Sequence, residues 1–393
     1  MLIESVHLEN YRSFADATLG GSQGLPRLAV LVGANGSGKS TFFDALSFLR
    51  DALDKDVPTA VMKRGGMKEV RSRGKPGPVV IEIKFREDGP GITYRLEVDE
   101  QKGKPVVSQE KIIYRHSSRS TPWHFLDFSG GHGIAARNPL ATVESESDLE
   151  RDEYTLDQPG ILAIKHLGQM TMFPALTSVR RLIEGWHLSN IHIDHARHTD
   201  AYGVASSLTA SGDNILQYAA WMHQEHPGLF QKVCDALALW VPGLEHVRAE
   251  QTIDGRMVLR FKDGSFQDPF LGRSVSDGTI KLFTYLMLLH DPNPHTLLAI
   301  EEPENQLYPS VLSDLAETMR AYSGTNRQVF VSTHSPDFLN ALRLEEVFQV
   351  IRKDGYSTIR PAIKDEQLQA LTREGDLLGF LWRQGLFLGV DPR

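Results

Sequence analysis

The sequence predicts an α/β fold with a parallel core sheet, an antiparallel β lobe and an inserted helical subdomain. Three patterns lead to this prediction. Residues 276 to 351 alternate between helical and apolar strand-like segments, which is typical of parallel α/β wiring. Residues 79 to 98 alternate apolar and polar side chains, as half-buried antiparallel strands do. Residues 176 to 246 carry apolar side chains at helical spacing without a sustained heptad repeat.

Length, charge and cysteine content limit the class of protein. The chain has 393 residues with 41% hydrophobic content, which is enough for one large domain or for two to three lobes. The net charge of −8 gives no overall positive field that would draw the chain to DNA or anionic lipid. Any contact with nucleic acid must therefore come from a local patch. The single cysteine, Cys234, excludes internal disulfides and a cysteine-based zinc site.

Targeting signals are missing from the sequence pattern. No apolar run approaches the roughly 20 residues that span a bilayer, and Glu4 stands where a signal peptide carries positive charge. The lone cysteine fits a reducing compartment. We therefore expect a cytoplasmic protein that has no membrane partner.

The amino-terminal segment predicts strands and a helix around a glycine-rich loop. Alternating apolar residues from Leu2 to Leu8 predict an edge strand that enters a turn at residues 10–14. Residues 28–32 form a continuous apolar run, as a buried strand does. Apolar side chains at helical spacing follow Ser40, so the loop at residues 33–40 lies between a strand and a helix.

The β lobe and the segment after it differ in pattern. Strands at residues 79–85 and 92–98 are joined by a predicted turn at residues 88–91. Residues 117–160 are rich in serine, glycine and acids, and they predict mostly loop with a solvated acidic face at residues 144–148. Strands return within residues 247–270, and the last forty residues predict a strand and a docked helix.

The glycine-rich loop carries the chemistry for binding phosphate. Gly33, Gly36 and Gly38 allow a backbone path that turns successive N–H groups inward, and the start of the next helix adds positive potential. Lys39 is placed to neutralise the β- and γ-phosphates of a nucleotide, and Ser40 to offer a hydroxyl to Mg²⁺. The predicted nucleotide-binding residues of this loop are Gly33, Ala34, Asn35, Gly36, Ser37, Gly38, Lys39, Ser40 and Thr41.

Two carboxylates end the apolar run at residues 296–300. Because side chains alternate along a strand, Glu301 can hold Mg²⁺ directly or through water while Glu302 points elsewhere. That leaves Glu302 to polarise the attacking water as a general base. The sequence therefore predicts Glu301 as a metal ligand and Glu302 as a catalytic residue, with Lys39 also acting on the reacting phosphate.

Two further motifs are suited to phosphate. His334 follows the apolar run at residues 328–332, at the end of a strand where open α/β sheets bind ligands, so it can hydrogen-bond a γ-phosphate. Ser276 precedes a helical pattern and predicts its N-cap, which leaves the amides of the first turn as an anion site. Since the loop at residues 33–41 already binds phosphate, this second anion site indicates contact with the γ-phosphate of a partner subunit.

Together these motifs resemble the ATP-binding-cassette superfamily in its branch of chromosome-maintenance, RecF and overcoming-lysogenization-defect ATPases, and more narrowly predicted prokaryotic AAA-type ATPases. The resemblance covers most of the chain outside residues 115–250. The segments that carry it are Asn10–Phe14, Gly33–Thr41, Ser276–Thr279, Glu301–Asn305 and Ser332–Asp337. It implies a P-loop ATPase head with ATP and Mg²⁺ as cofactors.

The resemblance implies further site residues. Arg12 lies near the nucleotide, and residues 304–308 join two sites across a dimer. The residues implied to contact ATP from the other subunit are Ser276, Asp277 and Gly278. The metal-binding glutamine of this class corresponds to Gln169, although the local pattern also allows His166 in that role. Tyr308 departs from the family pattern, which has a histidine before the proline.

The same resemblance divides the chain into three parts. Residues 1–175 hold the amino-terminal part of the ATPase head with the glycine-rich loop and the β lobe. Residues 176–270 form the mainly helical insertion with short return strands. Residues 271–393 hold the carboxyl-terminal part of the head with the serine signature, the carboxylate pair and His334.

Two other clusters leave alternatives open. One set of side chains can bind a metal and support nuclease chemistry, or consist of solvated histidines: His187, His192, Asp194, His195 and His198. A second set can form a patch for the DNA backbone, or a solvated loop: Lys63, Arg64, Lys68, Arg71, Arg73 and Lys75.

The sequence therefore yields a main hypothesis and an alternative. The main one is an ATPase that forms a head-to-tail homodimer around two ATP molecules and controls a separate effector, such as a Toprim-like nuclease, in DNA repair or antiphage defence. The alternative is a nucleotide-sensing scaffold that hydrolyses slowly and holds an effector inactive. A transporter cassette is disfavoured because Ser276–Thr279 departs from the Leu-Ser-Gly-Gly-Gln signature.

Overall fold

The computed structural model of the protein describes residues 2–21, 24–86, 91–115, 121–139, 145–191, 205–251, 257–324 and 326–387. The chain forms two units, each assembled from separate stretches. The first comprises Met1–Trp186, Arg343–Asp376 and Leu381–Arg393, and the second comprises His187–Leu342 and Leu377–Phe380. The three-part division at residues 175 and 270 stays a prediction.

The first unit contains an antiparallel sheet and the strand that precedes the glycine-rich loop. Its elements up to residue 184 are β1 (Leu2–Tyr11), β2 (Phe14–Gly20), β3 (Leu28–Val32), α1 (Lys39–Asp54), α2 (Val57–Lys63), α3 (Met67–Val70), β4 (Val79–Arg86), β5 (Gly91–Gln101), β6 (Lys104–Arg115), β7 (Trp123–Ser129), β8 (His132–Ala136), β9 (Arg151–Thr155), α4 (Ala163–His166) and α5 (Pro174–Glu184).

The antiparallel sheet of this unit has the strand order β2-β1-β4-β5-β6-β7-β8-β9 among the described residues. Alternation along the strands decides which side chains are buried. Ile83 lies opposite Tyr94 and Phe85 opposite Ile92, and all four are buried. The predicted pair of antiparallel strands is thus confirmed. The predicted turn at residues 88–91 lies outside the described part of the chain except for Gly91, which begins β5.

Two strand predictions in this unit are wrong. The predicted edge strand is an interior one, because β1 pairs with both β2 and β4. Residues 117–160, predicted to be mostly loop, contain β7, β8 and β9. β7 carries a strand-like set of buried apolar residues, Trp123, Phe125, Leu126 and Phe128, which the serine- and acid-rich composition of the surrounding segment obscured. β8 and β9 lack such a set, and pairing with neighbouring strands stabilises them.

The strand before the glycine-rich loop is confirmed. All five side chains of β3 are buried. It pairs in parallel with β16 (Val347–Lys353), which in turn pairs antiparallel with β17 (Tyr356–Pro361). Continuous burial explains the unbroken apolar run, since a central parallel strand contacts other elements on both faces.

The carboxyl-terminal prediction of a strand and a docked helix is also confirmed. After β17 come α11 (Glu366–Arg373) and α12 (Leu378–Arg383). Trp382 is 2% exposed, and its ring lies 5.5 Å from that of Phe387. Burial of this large ring holds the end of the described chain against the first unit.

The second unit contains helices, a small antiparallel sheet and a parallel strand pair. A short strand, β10 (Trp186–Ser189), leads into it. The elements that follow are α6 (Ile215–Glu225), α7 (Pro227–Trp240), β11 (Leu244–Gln251), β12 (Met257–Asp263), β13 (Phe270–Leu271), α8 (Asp277–Leu289), β14 (Leu297–Glu301), α9 (Leu312–Tyr322), β15 (Gln328–Thr333) and α10 (Pro336–Leu339).

The predicted wiring from residue 276 onward is confirmed, since α8, β14, α9, β15, α10 and β16 follow in that order. β14 and β15 pair in parallel, with Ile300 opposite Val331 and Glu301 opposite Ser332. The two strands therefore end side by side. This places the residues after β14 next to those after β15, which is where the sequence predicted catalytic groups.

The inserted segment is mainly helical in its described part, as predicted, through α5, α6 and α7. No helix among the described residues has the length and apolar character needed to span a bilayer.

Candidate functional site

The glycine-rich loop of the first unit has a backbone that only glycine adopts easily. Gly36 and Gly38 have φ values of 74° and 115°. A Cβ on Gly38 would lie 2.6 Å from Ser357 Oγ and 3.0 Å from Ser13 Oγ. Gly38 is also the N-cap of α1, and no side chain among the described residues caps that helix. A helix start without a side-chain cap is an arrangement that can bind phosphate through backbone N–H groups.

Lys39 lies across this loop. Its side chain is 5% exposed, and Nζ donates to the carbonyl of Gly33 at 2.7 Å and to that of Ala34 at 3.3 Å. The hydroxyl of Ser37 is buried and makes no hydrogen bond among the described residues. An ammonium held by loop carbonyls beside an unsatisfied hydroxyl fits a triphosphate group, which accepts hydrogen bonds from both.

The remaining predicted loop residues lie on the accessible side of the same segment. Asn35, Gly36 and Ser40 are exposed, and Ala34 and Thr41 are half-buried. Ser40 belongs to the first turn of α1. Its hydroxyl is therefore open to a ligand at the start of the helix.

Arg12 is held against α1 by a carboxylate that the sequence analysis missed. Its guanidinium lies 3.1 Å from Asp44, which also accepts from Tyr11 Oη at 2.6 Å and from Arg64 Nε at 2.8 Å. Burial raises the pKa of Tyr11 well above its usual value of 10, so its hydroxyl stays protonated and donates. Asp44 lies one turn after Ser40, and this helical spacing is the signal that could have identified it.

The basic run in this unit is largely paired with acids. Arg64 contacts Asp44 and Asp51 at 2.8 Å each. Three more pairs are Lys63–Asp51 at 2.9 Å, Arg71–Asp99 at 2.6 Å and Arg73–Glu69 at 2.7 Å. The ammonium of Lys75 lies 5.0 Å from the ring centre of Tyr356. Carboxylates already neutralise much of this charge, which disfavours a DNA-binding patch. The solvated-loop interpretation is correct only in part, because Lys63 and Lys68 lie in α2 and α3 and Arg64 is buried.

Gln169 and His166 lie close together and are both exposed. His166 ends α4, and Gln169 ends the short 3₁₀ turn Leu167–Gln169. Their positions do not favour one over the other as a metal ligand, so both stay predictions.

A buried carboxylate anchors the segment that carries these two residues. Glu110 of β6 accepts from the backbone N–H groups of Ala163 and Ile164, at 2.5 and 3.1 Å, and from Tyr94 Oη at 3.1 Å. Burial raises the pKa of Glu110 to about 7, while the two backbone bonds act in the opposite direction. Sequence analysis did not single out Glu110, although a carboxylate in an apolar alternating strand is a signal for it.

The second unit brings Glu302 and His334 together. Glu302 follows β14 directly, with φ of 43°, and its N–H donates to the carbonyl of Ser332 at 2.9 Å. One carboxylate oxygen of Glu302 lies 3.4 Å from Nδ1 of His334, and the other accepts from Nδ2 of Asn305 at 3.0 Å. The predicted catalytic pair is therefore adjacent in this unit, and Asn305 adds an orienting contact that the sequence did not reveal.

Glu304 holds the backbone of the histidine. Its Oε1 accepts from Thr333 Oγ1 at 2.7 Å and from the N–H of His334 at 2.9 Å. The same oxygen lies 3.5 Å from His334 Nδ1, and the Glu304 side chain is 8% exposed. Glu301, the predicted metal ligand, is the last residue of β14.

Ser276 caps α8 as predicted. Its Oγ accepts from the N–H of Thr279 at 3.2 Å and lies 2.8 Å from Thr279 Oγ1. A Cβ on Gly278 would lie 2.7 Å from the carbonyl oxygen of Gln306. The first turn of α8 thus packs directly against the backbone that follows the carboxylate pair.

Lys281 is a buried cation on the same helix. It is 5% exposed, and Nζ donates to the carbonyl of Asn305 at 2.8 Å. Burial lowers the pKa of Lys281 to about 8, while Glu304 and Glu302 act in the opposite direction. A lysine inside a helix whose other residues from Thr279 to Leu289 are apolar or neutral is a signal that the sequence analysis passed over.

The histidine cluster lies mostly outside the described residues. His192, Asp194, His195 and His198 fall there. His187 is described, and its ring centre lies 4.7 Å from that of His295. Among the described residues, no group of three or more His, Cys, Asp or Glu side chains is arranged to hold a metal ion.

The first unit thus has a glycine-rich loop between a strand and a helix, and no described side chain caps that helix. In the second unit, a pair of carboxylates lies at the end of one strand, and a histidine follows the parallel strand beside it. P-loop ATPases of the ABC and chromosome-maintenance-head type are built from these parts, and the chain has a fold of that class. Within this class, it belongs to the family described as "AAA domain, putative AbiEii toxin, Type IV TA system", which matches residues 28–131 and 176–340.

Comparison with a solved structure supports the fold. The head domain of an SMC protein, bound to the C-winged helix domain of ScpA, superposes with a TM-score of 0.56 at 14% sequence identity. The match covers 92% of this chain and 98% of that one. At this level of identity the likeness concerns the fold alone.

Two curated relatives match shorter stretches. The chain is 35% identical over 77 residues to the Old nuclease of Escherichia phage P2, and 33% identical over 113 residues to protein ea59 of Escherichia phage lambda. These stretches cover 20% and 28% of this chain. They span only 13% and 22% of the two relatives.

Proposed function

We propose that the protein is a magnesium-dependent ATP hydrolase that closes as a pair of identical subunits around two ATP molecules and thereby controls a separate effector. The observation that carries the hydrolase part is the contact between Glu302 and His334 after two parallel strands. A carboxylate beside a histidine at the end of a parallel sheet is suited to activating water next to a phosphoryl group.

The glycine-rich loop supplies the binding part of the proposal. Lys39 exchanges its two carbonyl partners for phosphate oxygens, and backbone N–H groups at the start of α1 bind the same group. Ser40 and Glu301 would hold Mg²⁺, with Gln169 or His166 as a further ligand. Bound magnesium would neutralise charge on the β- and γ-phosphates.

Glu302 and His334 have different roles in this proposal. Glu302 accepts a proton from the attacking water, and Asn305 keeps its carboxylate oriented through the bond at 3.0 Å. His334, whose backbone is fixed by Glu304, is half-exposed and offers its ring to the γ-phosphate. Arg12, which Asp44 of α1 orients, would donate hydrogen bonds to the bound nucleotide.

Dimerisation is supported by the surface around α8. Ser276 and Tyr308 are both exposed, and Tyr308 is a large aromatic side chain with 77% of its surface accessible. Large exposed aromatic residues are characteristic of interfaces. Ser276, Asp277 and Gly278 then contact the γ-phosphate bound by the other subunit, so loss of that phosphate removes a contact that only the closed pair makes.

The Glu302→Gln variant tests this proposal. Removing the general base while keeping the shape of the side chain should lower ATP turnover by about 10²- to 10⁴-fold and leave ATP binding intact. Because the γ-phosphate then persists, the variant should sediment as a dimer with Mg-ATP and as a monomer without nucleotide. A monomer under both conditions contradicts the dimer, and unchanged turnover contradicts the catalytic role of Glu302.

The nature of the effector is part of the same proposal. The Old nuclease of phage P2 is named for nuclease activity, and one stretch of it resembles this chain, so a DNA-processing partner in repair or antiphage defence is the effector that we propose. To test for such a partner, the native protein is purified with Mg-ATP and the chain that accompanies it is identified. The complex is then assayed for DNA cleavage. A complex whose DNA cleavage is independent of ATP contradicts control by the ATPase.

A further inference from the structure

Lys281 and Asn305 connect the start of α8 to Glu302. Lys281 Nζ donates to the carbonyl of Asn305 at 2.8 Å. The side chain of Asn305 then donates from Nδ2 to Glu302 Oε2 at 3.0 Å. The backbone carbonyl and the side-chain amide of Asn305 are therefore both hydrogen-bonded. The two bonds form a continuous path from the helix to the carboxylate of Glu302.

The loop on this path has a backbone conformation that needs support. Glu302 and Gln306 both have positive φ, 43° and 67°, which L-residues other than asparagine and aspartate rarely adopt. Such conformations persist where surrounding contacts fix them. Part of this support comes from α8, because Gly278 approaches the carbonyl of Gln306 and Lys281 holds that of Asn305, and part comes from β15, where the carbonyl of Ser332 accepts from the N–H of Glu302.

Burial of Lys281 costs more free energy than burial of an apolar side chain would. A buried ammonium loses its hydration, and an apolar side chain of similar length would fill the same space without that cost. The groups that compensate it are the Asn305 carbonyl, the carboxylates of Glu304 and Glu302, and the ring of Tyr285, whose centre lies 5.7 Å from Nζ. Its charged end is therefore directed at the loop that carries the proposed general base.

We infer that Lys281 is a positioning residue for ATP hydrolysis, which acts through Asn305 to hold the carboxylate of Glu302 in place relative to the first turn of α8. The inference rests on the proposed function and extends it. A contact made by Ser276–Gly278 at the start of α8 is transmitted through Lys281 to the residue that activates water. The serine signature and the general base of one subunit are thereby coupled within that subunit.

A double-mutant cycle tests the inference. Lys281→Met and Asn305→Ala should each lower kcat by about 10- to 100-fold, because a misplacement of about 1 Å in a reacting group has an effect of this size. The Kd for ATP should be unchanged in both variants. The double variant should lose no more turnover than the more affected single variant, because both act on one path. Lys281→Arg keeps a charged donor and should recover part of the turnover.

Controls separate positioning from folding. Lys232→Met makes the same chemical change on the exposed face of α7 and should leave kcat unchanged. Asn305 is exposed, so Asn305→Ala tests the path even where Lys281→Met does not fold. An unchanged kcat in Asn305→Ala overturns the inference and leaves the ATPase proposal intact. The same conclusion follows if the losses of kcat in the two single variants multiply in the double variant. A wild-type chain that binds ATP without turnover overturns both.

Discussion

The glycine-rich loop of the first unit is held by backbone geometry, whereas the carboxylate cluster of the second unit is held by side chains. In the loop, positive φ at Gly36 and Gly38 and the carbonyls that bind Lys39 define the shape. In the cluster, Glu304 fixes the backbone of His334, and Asn305 fixes Glu302.

The difference matters for how each region tolerates change. A backbone-defined loop depends on which residues lack a side chain, so an added methyl group is the most damaging change. A side-chain-defined cluster depends on hydrogen-bond acceptors that are buried, so removal of one acceptor is the most damaging change there.

The largest effect that tests this comparison is expected from Gly38→Ala. The left-handed region costs a residue with a Cβ about 1–2 kcal/mol, and the new Cβ would lie 2.6 Å from Ser357 Oγ. Since 1.4 kcal/mol is a factor of ten, the Kd for ATP should rise by about ten-fold or more. Isothermal titration with a non-hydrolysed ATP analogue measures it.

Gly36→Ala is the matched control for that substitution. Gly36 has φ of 74°, yet no atom of the described residues beyond its chain neighbours lies within 4 Å of a Cβ there. It should therefore weaken ATP binding less than Gly38→Ala does. Equal effects would mean that the backbone conformation alone, and not the close approach of Ser357, defines the loop.

An effect of comparable size is expected from Glu304→Leu. The change leaves the N–H of His334 and the hydroxyl of Thr333 without their acceptor. An unsatisfied buried donor costs about 1–3 kcal/mol, so the free energy of unfolding, measured in urea, should fall by about that amount. Glu304→Gln keeps the accepting oxygen and should lose less. If both variants lose the same amount, the charge of Glu304 beside Lys281, rather than its hydrogen bonds, holds the cluster.

A pH-dependent effect concerns a side-chain anchor inside the first unit. Burial raises the pKa of Glu110 from its ordinary value of 4.5 to about 7. Between these values the unfolded chain has released a proton that the folded chain retains, so folding becomes less favourable as the pH rises through this window. The Glu110→Gln variant cannot ionise. We therefore expect the melting temperature of the wild type to fall relative to that of the variant from about pH 4.5 to 7, and the difference to stay constant above it.

Glu100→Gln removes an exposed carboxylate of β5 and serves as the control for this pH dependence. Its difference from the wild type should be nearly constant over the same window. A flat difference for Glu110→Gln as well would mean that the carboxylate is ionised in the folded chain, stabilised by its three donors.

Parts of the fold could be predicted from the sequence where the pattern is local. Leu28–Val32 and the helix after Ser40 are confirmed because an apolar run, glycines and helical spacing lie next to one another in the chain. β8 and β9 were missed because their pairing partners, and not their own composition, make them strands, whereas the apolar pattern of β7 was obscured by the polar segment around it. For the same reason β1 is interior, since no local signal indicates that β4 lies beside it.

By itself, the sequence determined the class of the protein. A phosphate-binding loop, a helix cap and a carboxylate pair are short-range features, and their chemistry depends on neighbours within a few residues. Only the tertiary structure decided which groups hold those features in place. Lys281 reaches Asn305, Glu304 reaches His334, and Asp44 reaches Arg12 across 24 to 32 residues of chain. Such contacts follow from how helices and strands pack, so they cannot be read from local sequence patterns.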